Sequence, residues 1–231
     1  TPTPVVSYIM KSINSILKKT FQKNEGLAEK SVKVLDPAAG SMTFLDTAIH
    51  LCYNEYKIRG KLGIFQDIVT NHILKDFFAF EILMAPYAIG HFKIFNTLEN
   101  LGVKQDKRIN LFLTNSLEVE ELEQSSFLSD LNEENAKANK IKQDHSVLVI
   151  CGNPPYESSS MNKSKFMSKL MMDYKKDVSD EKNIQPLDND YIKFIRLAHW
   201  KIKQNGQGLV GMITSNSYLD GVIHRGMRKK L

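Results

Sequence analysis

Residues 147–156 read Val-Leu-Val-Ile-Cys-Gly-Asn-Pro-Pro-Tyr, an apolar run that ends in an amide, two prolines and an aromatic ring. A short apolar run of this kind is typical of a strand that is buried on both faces of a parallel sheet. The run 147–150 is therefore predicted to be a β-strand, with Asn153 to Tyr156 as the loop that follows. Because Asn-Pro dipeptides often begin turns, the loop alone fits a plain turn as well as an active site.

This loop, Asn153-Pro154-Pro155-Tyr156, has the chemistry needed to hold a planar amine. The Asn153 side-chain oxygen and the Pro154 carbonyl can both accept hydrogen bonds from an NH2 group, because proline loses its donor but keeps its acceptor. Tyr156 offers a ring face on which a base rotated out of a duplex could stack. The tetrapeptide thus indicates group transfer to an amine with a delocalised lone pair, such as that of adenine or an amide.

Helical and strand patterns alternate along the chain. Helical spacing of apolar residues predicts helices, and short apolar runs predict further strands: helices over 5–21, 43–59, 64–74, 86–101 and 191–202, and strands over 31–35, 77–80, 110–113 and 209–213. This alternation indicates an α/β domain with a mainly parallel central sheet flanked by helices. Ligands of such sheets bind beyond the carboxyl ends of the strands. Polar residues follow all five predicted strands there: 36–41, Glu81, Asn115, Asn153 and Ser215.

Two segments have a weaker pattern. The segment 118–144 is highly charged and is predicted to be a helix with a solvated face. The segment 157–188 mixes serines, lysines and methionines with little periodicity. We interpret it as a mobile insertion or, alternatively, as a basic flap that closes on the substrate.

Composition is that of an ordinary globular protein, with 231 residues, 42% hydrophobic and 25% charged. A formal net charge of +5 is compatible with a polyanionic partner but does not demonstrate one. Apolar stretches fall short of the roughly 18 residues that span a bilayer. Cys52 and Cys151 are too few for a disulfide framework. We expect a reducing, cytoplasmic setting, no membrane partner and, because the six histidines lack ligand spacing, no metal.

A second loop, Asp36-Pro37-Ala38-Ala39-Gly40-Ser41, joins the first strand to a helix. Its glycine allows a close backbone approach, and the helix N-terminus presents free amide donors that can hold the carboxylate or phosphate of a cofactor. The Gly-Lys-Ser/Thr of a P-loop is missing. Glu81 ends the second strand, where doubly wound folds place an acid that binds ribose hydroxyls.

Taken in order, the second loop with Thr43-Phe44-Leu45, then Glu81, then the tetrapeptide resembles the S-adenosylmethionine-dependent adenine-N6 DNA methyltransferases of the gamma motif order. The opening Thr1-Pro2-Thr3-Pro4 is similar to the leading Thr-Pro motif of that family. Other stretches resemble large restriction–modification polypeptides, in which a nuclease, a methyltransferase and a target-recognition domain share one chain: 80–83, 86–89, 187–194 and 213–219.

The resemblance covers the chain from Thr1 to Leu231 and implies a Rossmann-like methyltransferase fold. It implies cofactor-binding residues for S-adenosylmethionine: Thr1, Pro2, Asp36, Pro37, Ala38, Gly40, Thr43, Glu81, Ile82, Asn115 and Ser116. In detail, Thr1 and Pro2 would contact the methionine end and Asp36 the amino-acid moiety. Glu81 would bind the ribose, and Asn115 with Ser116 would contact the adenine. The implied catalytic residues hold a flipped adenine of duplex DNA: Asn153, Pro154, Pro155 and Tyr156.

Two residues depart from the family pattern. Met42 stands where a second glycine is usual, and Asn115 replaces the usual acid. Either change could weaken cofactor affinity, and neither touches the tetrapeptide.

We expect 1–231 to be one methyltransferase domain, with an N-terminal helix 3–22, a cofactor half 31–117 and a catalytic half 145–231. The chain opens without an initiator methionine and stops within an amphipathic pattern at 227–231. We therefore expect a fragment truncated after the fifth strand, with nuclease and target-recognition domains elsewhere in the same polypeptide.

Alternatives from two classes stay open. The tetrapeptide also occurs in methyltransferases that act on glutamine side chains of release factors or on RNA, and the same fold could serve as a non-catalytic DNA-binding scaffold. The Thr-Pro motif and the stretches shared with large polypeptides favour DNA, and the intact Asn153 and Tyr156 favour catalysis.

Overall fold

The computed structural model describes residues 1–119, 129–143, 146–157 and 162–231, and a parallel sheet lies at its centre. The described residues form five strands: β1 (Val34–Asp36), β2 (Phe77–Glu81), β3 (Asn110–Leu113), β4 (Val149–Gly152) and β5 (Leu209–Met212). Their order is β3-β2-β1-β4-β5, and all neighbouring pairs are parallel. The predicted strands and parallel sheet are confirmed, with β1 beginning three residues later than expected and β4 two residues nearer the tetrapeptide. The order places the ends of β1 and β4, which carry the two predicted loops, side by side.

Helices connect the strands. Those within the described residues are α1 (Thr3–Lys19), α2 (Thr43–Ile58), α3 (Phe65–Ile68), α4 (Leu74–Asp76), α5 (Met84–Asn100), α6 (Ser129–Gln143), α7 (Lys165–Lys175), α8 (Asp190–Asn205), α9 (Ser217–Asp220) and α10 (Arg225–Arg228). Shorter turns are 3₁₀ at Gly26–Ala28, Leu62–Ile64, Lys176–Val178, Gln185–Asp188 and Val222–His224, and π at Val69–Ile73. The predicted helices are confirmed, except that the π turn divides 64–74 into α3 and α4. Among these described helices, none is long and apolar enough to cross a membrane.

The sheet is covered on both faces, because successive side chains of a strand point to opposite sides. On β2, Phe77 and Ala79 belong to a core with α1, α2 and α5. Phe78 and Phe80 belong to a second core with α6 and α8. A strand that is apolar on both faces has a continuous apolar sequence, and this is why the strands could be predicted.

The segment 157–188, interpreted as a mobile insertion with little periodicity, contains a packed helix after the undescribed residues 158–161. Helix α7 begins after Ser164, whose Oγ accepts a hydrogen bond from the Met167 backbone N at 3.1 Å. Met167, Met171 and Tyr174 lie at helical spacing and are buried in a third cluster with α8 and α10. The alternative that this segment closes on the substrate stays a prediction.

The charged segment 118–144 contains α6, while residues 120–128 and 144 lie outside the described part. The expected helix is confirmed there, but its face is not simply solvated. Ala138 and Ile141 are buried against the sheet, and the buried Lys142 donates from Nζ to the Asn115 carbonyl oxygen at 2.7 Å. Helix α6 thus supports the end of β3, next to a predicted cofactor residue.

Met42, which replaces the expected glycine, keeps a left-handed backbone conformation with φ +63° and ψ +27°. Its side chain is fully buried and lies against α5 at Gly90. A Cβ atom at position 90 would lie 2.7 Å from Met42 Cγ and 3.0 Å from Leu111 Cδ2. The methionine is therefore accommodated by a glycine on the neighbouring helix.

We expect Gly90→Ala to lower the free energy of unfolding by about 1–3 kcal/mol, because the new methyl group overpacks this contact. Urea unfolding of Gly90→Ala, Met42→Ala and the double variant measures the coupling between the two positions. The double variant should lose less than the sum of the single variants. Gly63→Ala is the control, because a Cβ there meets nothing within 4 Å. Strict additivity of the two losses would contradict this account.

Candidate functional site

A cleft of about 540 Å³ lies at the carboxyl edge of the sheet, a size typical of small-molecule sites. The loops after β1, β2, β3 and β4 supply most of its wall: Pro37, Ala38, Gly40, Glu81, Ile82, Leu83, Asn115, Ser116, Asn153 and Pro155. The predicted convergence of strand ends is confirmed for these four strands. Ser215, after β5, is not among the residues that line the cleft.

Glu81 joins the loops after β1 and β2. Its Oε2 accepts a hydrogen bond from the Gly40 backbone N at 2.8 Å. Its Oε1 accepts from the backbone N of Ile82 at 2.9 Å and of Leu83 at 2.8 Å. An ionised carboxylate has about four acceptor positions, so these three donors leave capacity for a ligand hydroxyl.

Asp36 lies beneath the cleft rather than on its wall. Its Oδ1 accepts from the Ala38 backbone N at 3.0 Å, whereas its buried Oδ2 has no hydrogen-bond partner among the described residues. Burial raises the pKa of Asp36 to about 7, and the negative charge of Glu81 raises it further. The hydrogen bond from the Ala38 backbone N acts in the opposite direction and lowers it. A buried acceptor without a partner, next to a cleft, fits a ligand that brings a donor or a positive charge.

The Asn153 amide is held from both sides. Its Nδ2 donates to Thr1 Oγ1 at 3.1 Å, and its Oδ1 accepts from the Tyr156 hydroxyl at 3.0 Å. Two predicted motifs that are 152 positions apart therefore meet at one amide. Pro154 is buried, and Pro155 is exposed.

The Tyr156 ring is available for contact. It is 49% exposed, and its centroid lies 6.2 Å from that of Tyr191, with the rings tilted by 39°. Burial of part of the side chain raises the pKa of Tyr156, which keeps the hydroxyl a donor to Asn153.

The other predicted cofactor residues have mainly local contacts. The Pro2 carbonyl accepts from the Val5 and Val6 backbone N atoms at the start of α1. Thr43 opens α2, and its carbonyl accepts from Thr47 Oγ1 at 2.9 Å. Thr1, Pro2 and Thr43 are not among the residues that line the cleft.

Ser116 connects the ends of two strands. It is buried, and its Oγ donates to the Pro37 carbonyl, which fixes the loop after β3 against the loop after β1. The two loops therefore form one continuous wall of the cleft.

The lining residues that were not singled out from the sequence as site residues include Asn162, Asp190 and Phe194. Asn115 Nδ2 donates to Asn162 Oδ1 at 2.8 Å, and Asn162 Nδ2 donates to Asp190 Oδ1 at 3.0 Å. Asp190 and Phe194 lie within the stretch 187–194 that carried part of the resemblance, so a signal for them was present. Asn162 follows no predicted element and had none.

No group of three histidine, cysteine, aspartate or glutamate side chains is placed to hold a metal in the described part of the chain. His145, one of the six histidines, lies outside that part.

Comparison with known proteins identifies a family. Residues 34–231 match the family described as Eco57I restriction-modification methylase. The chain finds no match among curated protein sequences.

Several solved structures are similar over the whole chain. The ATP-dependent Type ISP restriction-modification enzyme LlaBIII bound to DNA is 28% identical, with a TM-score of 0.82. A nuclease-deletion mutant of the Type ISP enzyme LlaGI, in complex with a DNA substrate mimic, is 26% identical with a TM-score of 0.83. The DrdV–DNA complex is 25% identical with a TM-score of 0.77. The chain spans 16%, 19% and 22% of these proteins, less than a quarter of their length.

We expect Asp36→Asn to remove a pH dependence of stability. The folded-state pKa of Asp36 is raised from 3.8 to about 7, so the neutral form is favoured in the native protein. Its contribution to stability is therefore full below about pH 4 and is lost as the pH rises through 7. This difference in pKa between the unfolded and the folded protein corresponds to about 4 kcal/mol in the free energy of unfolding. Urea unfolding of both proteins from pH 5 to pH 8 should give a flatter profile for the variant, and parallel profiles would contradict the assignment.

Proposed function

The chain belongs to the Eco57I restriction-modification methylase family, and on that premise we propose that it transfers a methyl group from S-adenosylmethionine to the N6 amine of adenine in duplex DNA. The observation that carries the proposal is the cleft in which Glu81 and Asn115 face the same space as Asn153. The similar proteins LlaBIII, LlaGI and DrdV were solved with DNA or a DNA mimic, which supports DNA as the substrate.

The cofactor side of the cleft fits the proposed ligand. Glu81 keeps acceptor capacity for a ribose hydroxyl beyond its three backbone donors. The unpartnered Oδ2 of Asp36 suits the ammonium group of the amino-acid moiety. Ile82 is 60% exposed and offers an apolar surface to an adenine ring, while Asn115 offers polar atoms at the ring edge.

The catalytic side consists of acceptors and a ring. S-adenosylmethionine supplies a methyl group that its sulfonium already activates, so catalysis depends mainly on positioning. The Asn153 Oδ1 atom has two lone pairs, of which the Tyr156 hydroxyl uses one, and the other can accept from the adenine amine. The Pro154 carbonyl would be the second acceptor. These contacts turn the amine lone pair towards the methyl group.

Tyr156 would hold the ring of the target base. An adenine amine inside a duplex is out of reach of such a cleft, so the base must rotate out of the stack. The half-exposed face of Tyr156 is the platform on which it would rest.

We propose that 1–231 is a methyltransferase domain within a longer polypeptide. The chain spans less than a quarter of the similar restriction–modification enzymes. Nuclease and target-recognition domains of the same polypeptide are its proposed partners, with DNA.

Transfer of a labelled methyl group tests the proposal. The polypeptide that carries this chain is incubated with labelled S-adenosylmethionine and, separately, with duplex DNA, RNA or a release factor. Label in N6-methyladenine of DNA is the expected result. Label in RNA or in a glutamine side chain would assign the other substrate, and cofactor binding without any transfer would indicate a non-catalytic scaffold.

We expect Asn153→Ala to lower the single-turnover rate of transfer by at least about 100-fold, because the amine loses its acceptor and its alignment. Binding of S-adenosylmethionine, measured by calorimetry, should survive. Tyr156→Phe is the matched control: it keeps the ring and removes only the hydroxyl that holds Asn153, so a loss of about 10-fold is expected. Equal loss of binding and transfer in Asn153→Ala would show that the residue is misassigned.

A further inference from the structure

Three hydrogen-bonded side chains line the cleft between the start of α8 and the end of β3. Asp190 Oδ1 accepts from Asn162 Nδ2 at 3.0 Å, and Asn162 Oδ1 accepts from Asn115 Nδ2 at 2.8 Å. All three residues line the cleft, and Asp190 is only 5% exposed. We call these three side chains the amide relay.

The ends of the amide relay fix its direction. An ionised carboxylate only accepts hydrogen bonds, so Asp190 holds Asn162 by its NH2 end. The Asn162 oxygen then faces Asn115, which in turn presents its own NH2. At the far end, Asn115 Oδ1 accepts from the Leu117 backbone N at 3.0 Å. Asp190 can only accept at one end, and the Leu117 backbone N can only donate at the other. Both ends therefore require the same orientation, in which each amide directs its NH2 group towards Asp190.

Other contacts hold the relay in place. The Asp190 backbone N donates to the Glu157 carbonyl at 3.1 Å, so the start of α8 also holds the residue that follows Tyr156. Lys193 Nζ donates to the backbone carbonyl oxygen of Asn162 at 2.6 Å. One helix end therefore supports both the cofactor wall and the catalytic loop.

We propose that Asp190, acting through Asn162, orients the Asn115 amide so that its Oδ1 accepts from the amine of the cofactor adenine. This inference rests on the proposed function. Oδ1 has a second lone pair besides the one used by Leu117, and the relay keeps it an acceptor. Asp190 and Asn162 are positioning residues. They keep the Asn115 Oδ1 atom in the place of the acceptor oxygen that the acid usual at position 115 would provide.

Two substitutions, Asn115→Asp and then Asp190→Asn, test the relay by reversing the direction of its hydrogen bonds. Asn115→Asp places a carboxylate at both ends, and the one NH2 of Asn162 can then face only one of them. We expect the melting temperature without cofactor to fall by about 4 °C. Affinity for S-adenosylmethionine should fall about 10-fold, because the Asn162 oxygen repels the new carboxylate from the position in which it would accept from the adenine amine. Adding Asp190→Asn should restore both, because an amide at 190 can donate to the Asn162 oxygen and the relay runs in the opposite direction.

Two matched controls separate orientation from charge. Asp190→Ala in the Asn115→Asp background frees the Asn162 NH2 for the new carboxylate but leaves the Asn162 Oδ1 atom without a donor, so it should restore stability and binding only in part. Asp188→Asn removes a charge two positions away, where the carboxylate pairs with Lys175 Nζ at 2.6 Å. It should restore neither stability nor binding.

Each outcome decides. Full restoration by Asp190→Asn with only partial restoration by Asp190→Ala supports the relay. Equal restoration by Asp190→Ala would mean simple charge repulsion and would overturn it, as would parental stability and affinity in Asn115→Asp. If the parent protein failed to bind S-adenosylmethionine, the proposed function and the cofactor role of the relay would both fall. Failure of the relay alone leaves cofactor binding by the parent intact, so the two failures are distinguishable.

Discussion

The Glu81 carboxylate accepts hydrogen bonds from three backbone N–H groups, and the geometry of the cleft depends on it. Gly40 belongs to the loop after β1, whereas Ile82 and Leu83 follow β2, so one side chain sets the distance between the two loops. Ser116, bonded to the Pro37 carbonyl, adds the end of β3 to the same frame. Parallel strands bring these loops to one edge, but only such cross-loop bonds give that edge a defined shape.

The opposite wall is built differently. Asn153 and Tyr156 are held by one another and by Thr1, and their loop is supported by α8 through Glu157 and Asp190. Helix α8 in turn packs with α7 and α10 in a cluster separate from the two cores that cover the sheet. The catalytic wall therefore rests on β4 and on side-chain contacts between helices, whereas the loops of the cofactor wall are bonded directly to one another.

The sequence predicted those parts of the molecule that depend on local pattern. The strands were readable because both faces are apolar, and the residues at their ends followed from the parallel topology. Helix α7 was missed because the serines and lysines of 157–165 obscured the helical spacing of Met167, Met171 and Tyr174. Asn162 was missed for another reason: its partners Asn115 and Asp190 are 47 and 28 positions away, and no local pattern records such contacts. The sequence named the cleft residues that follow directly from the strand ends and motifs, but not the remaining lining residues or the orientation of the amides.

Met42 and Gly90 form one close packing contact, so substitutions at the two positions are coupled. A glycine at position 90 is tolerated with either residue at position 42, whereas the methionine requires that glycine, because a Cβ at 90 would meet its side chain at 2.7 Å. A lineage could thus reach the present pair through the helix glycine first, and hardly through the methionine first. The two positions should change together among homologous sequences, and a transplant of the loop 36–42 into a relative would have to carry its neighbour on α5 as well.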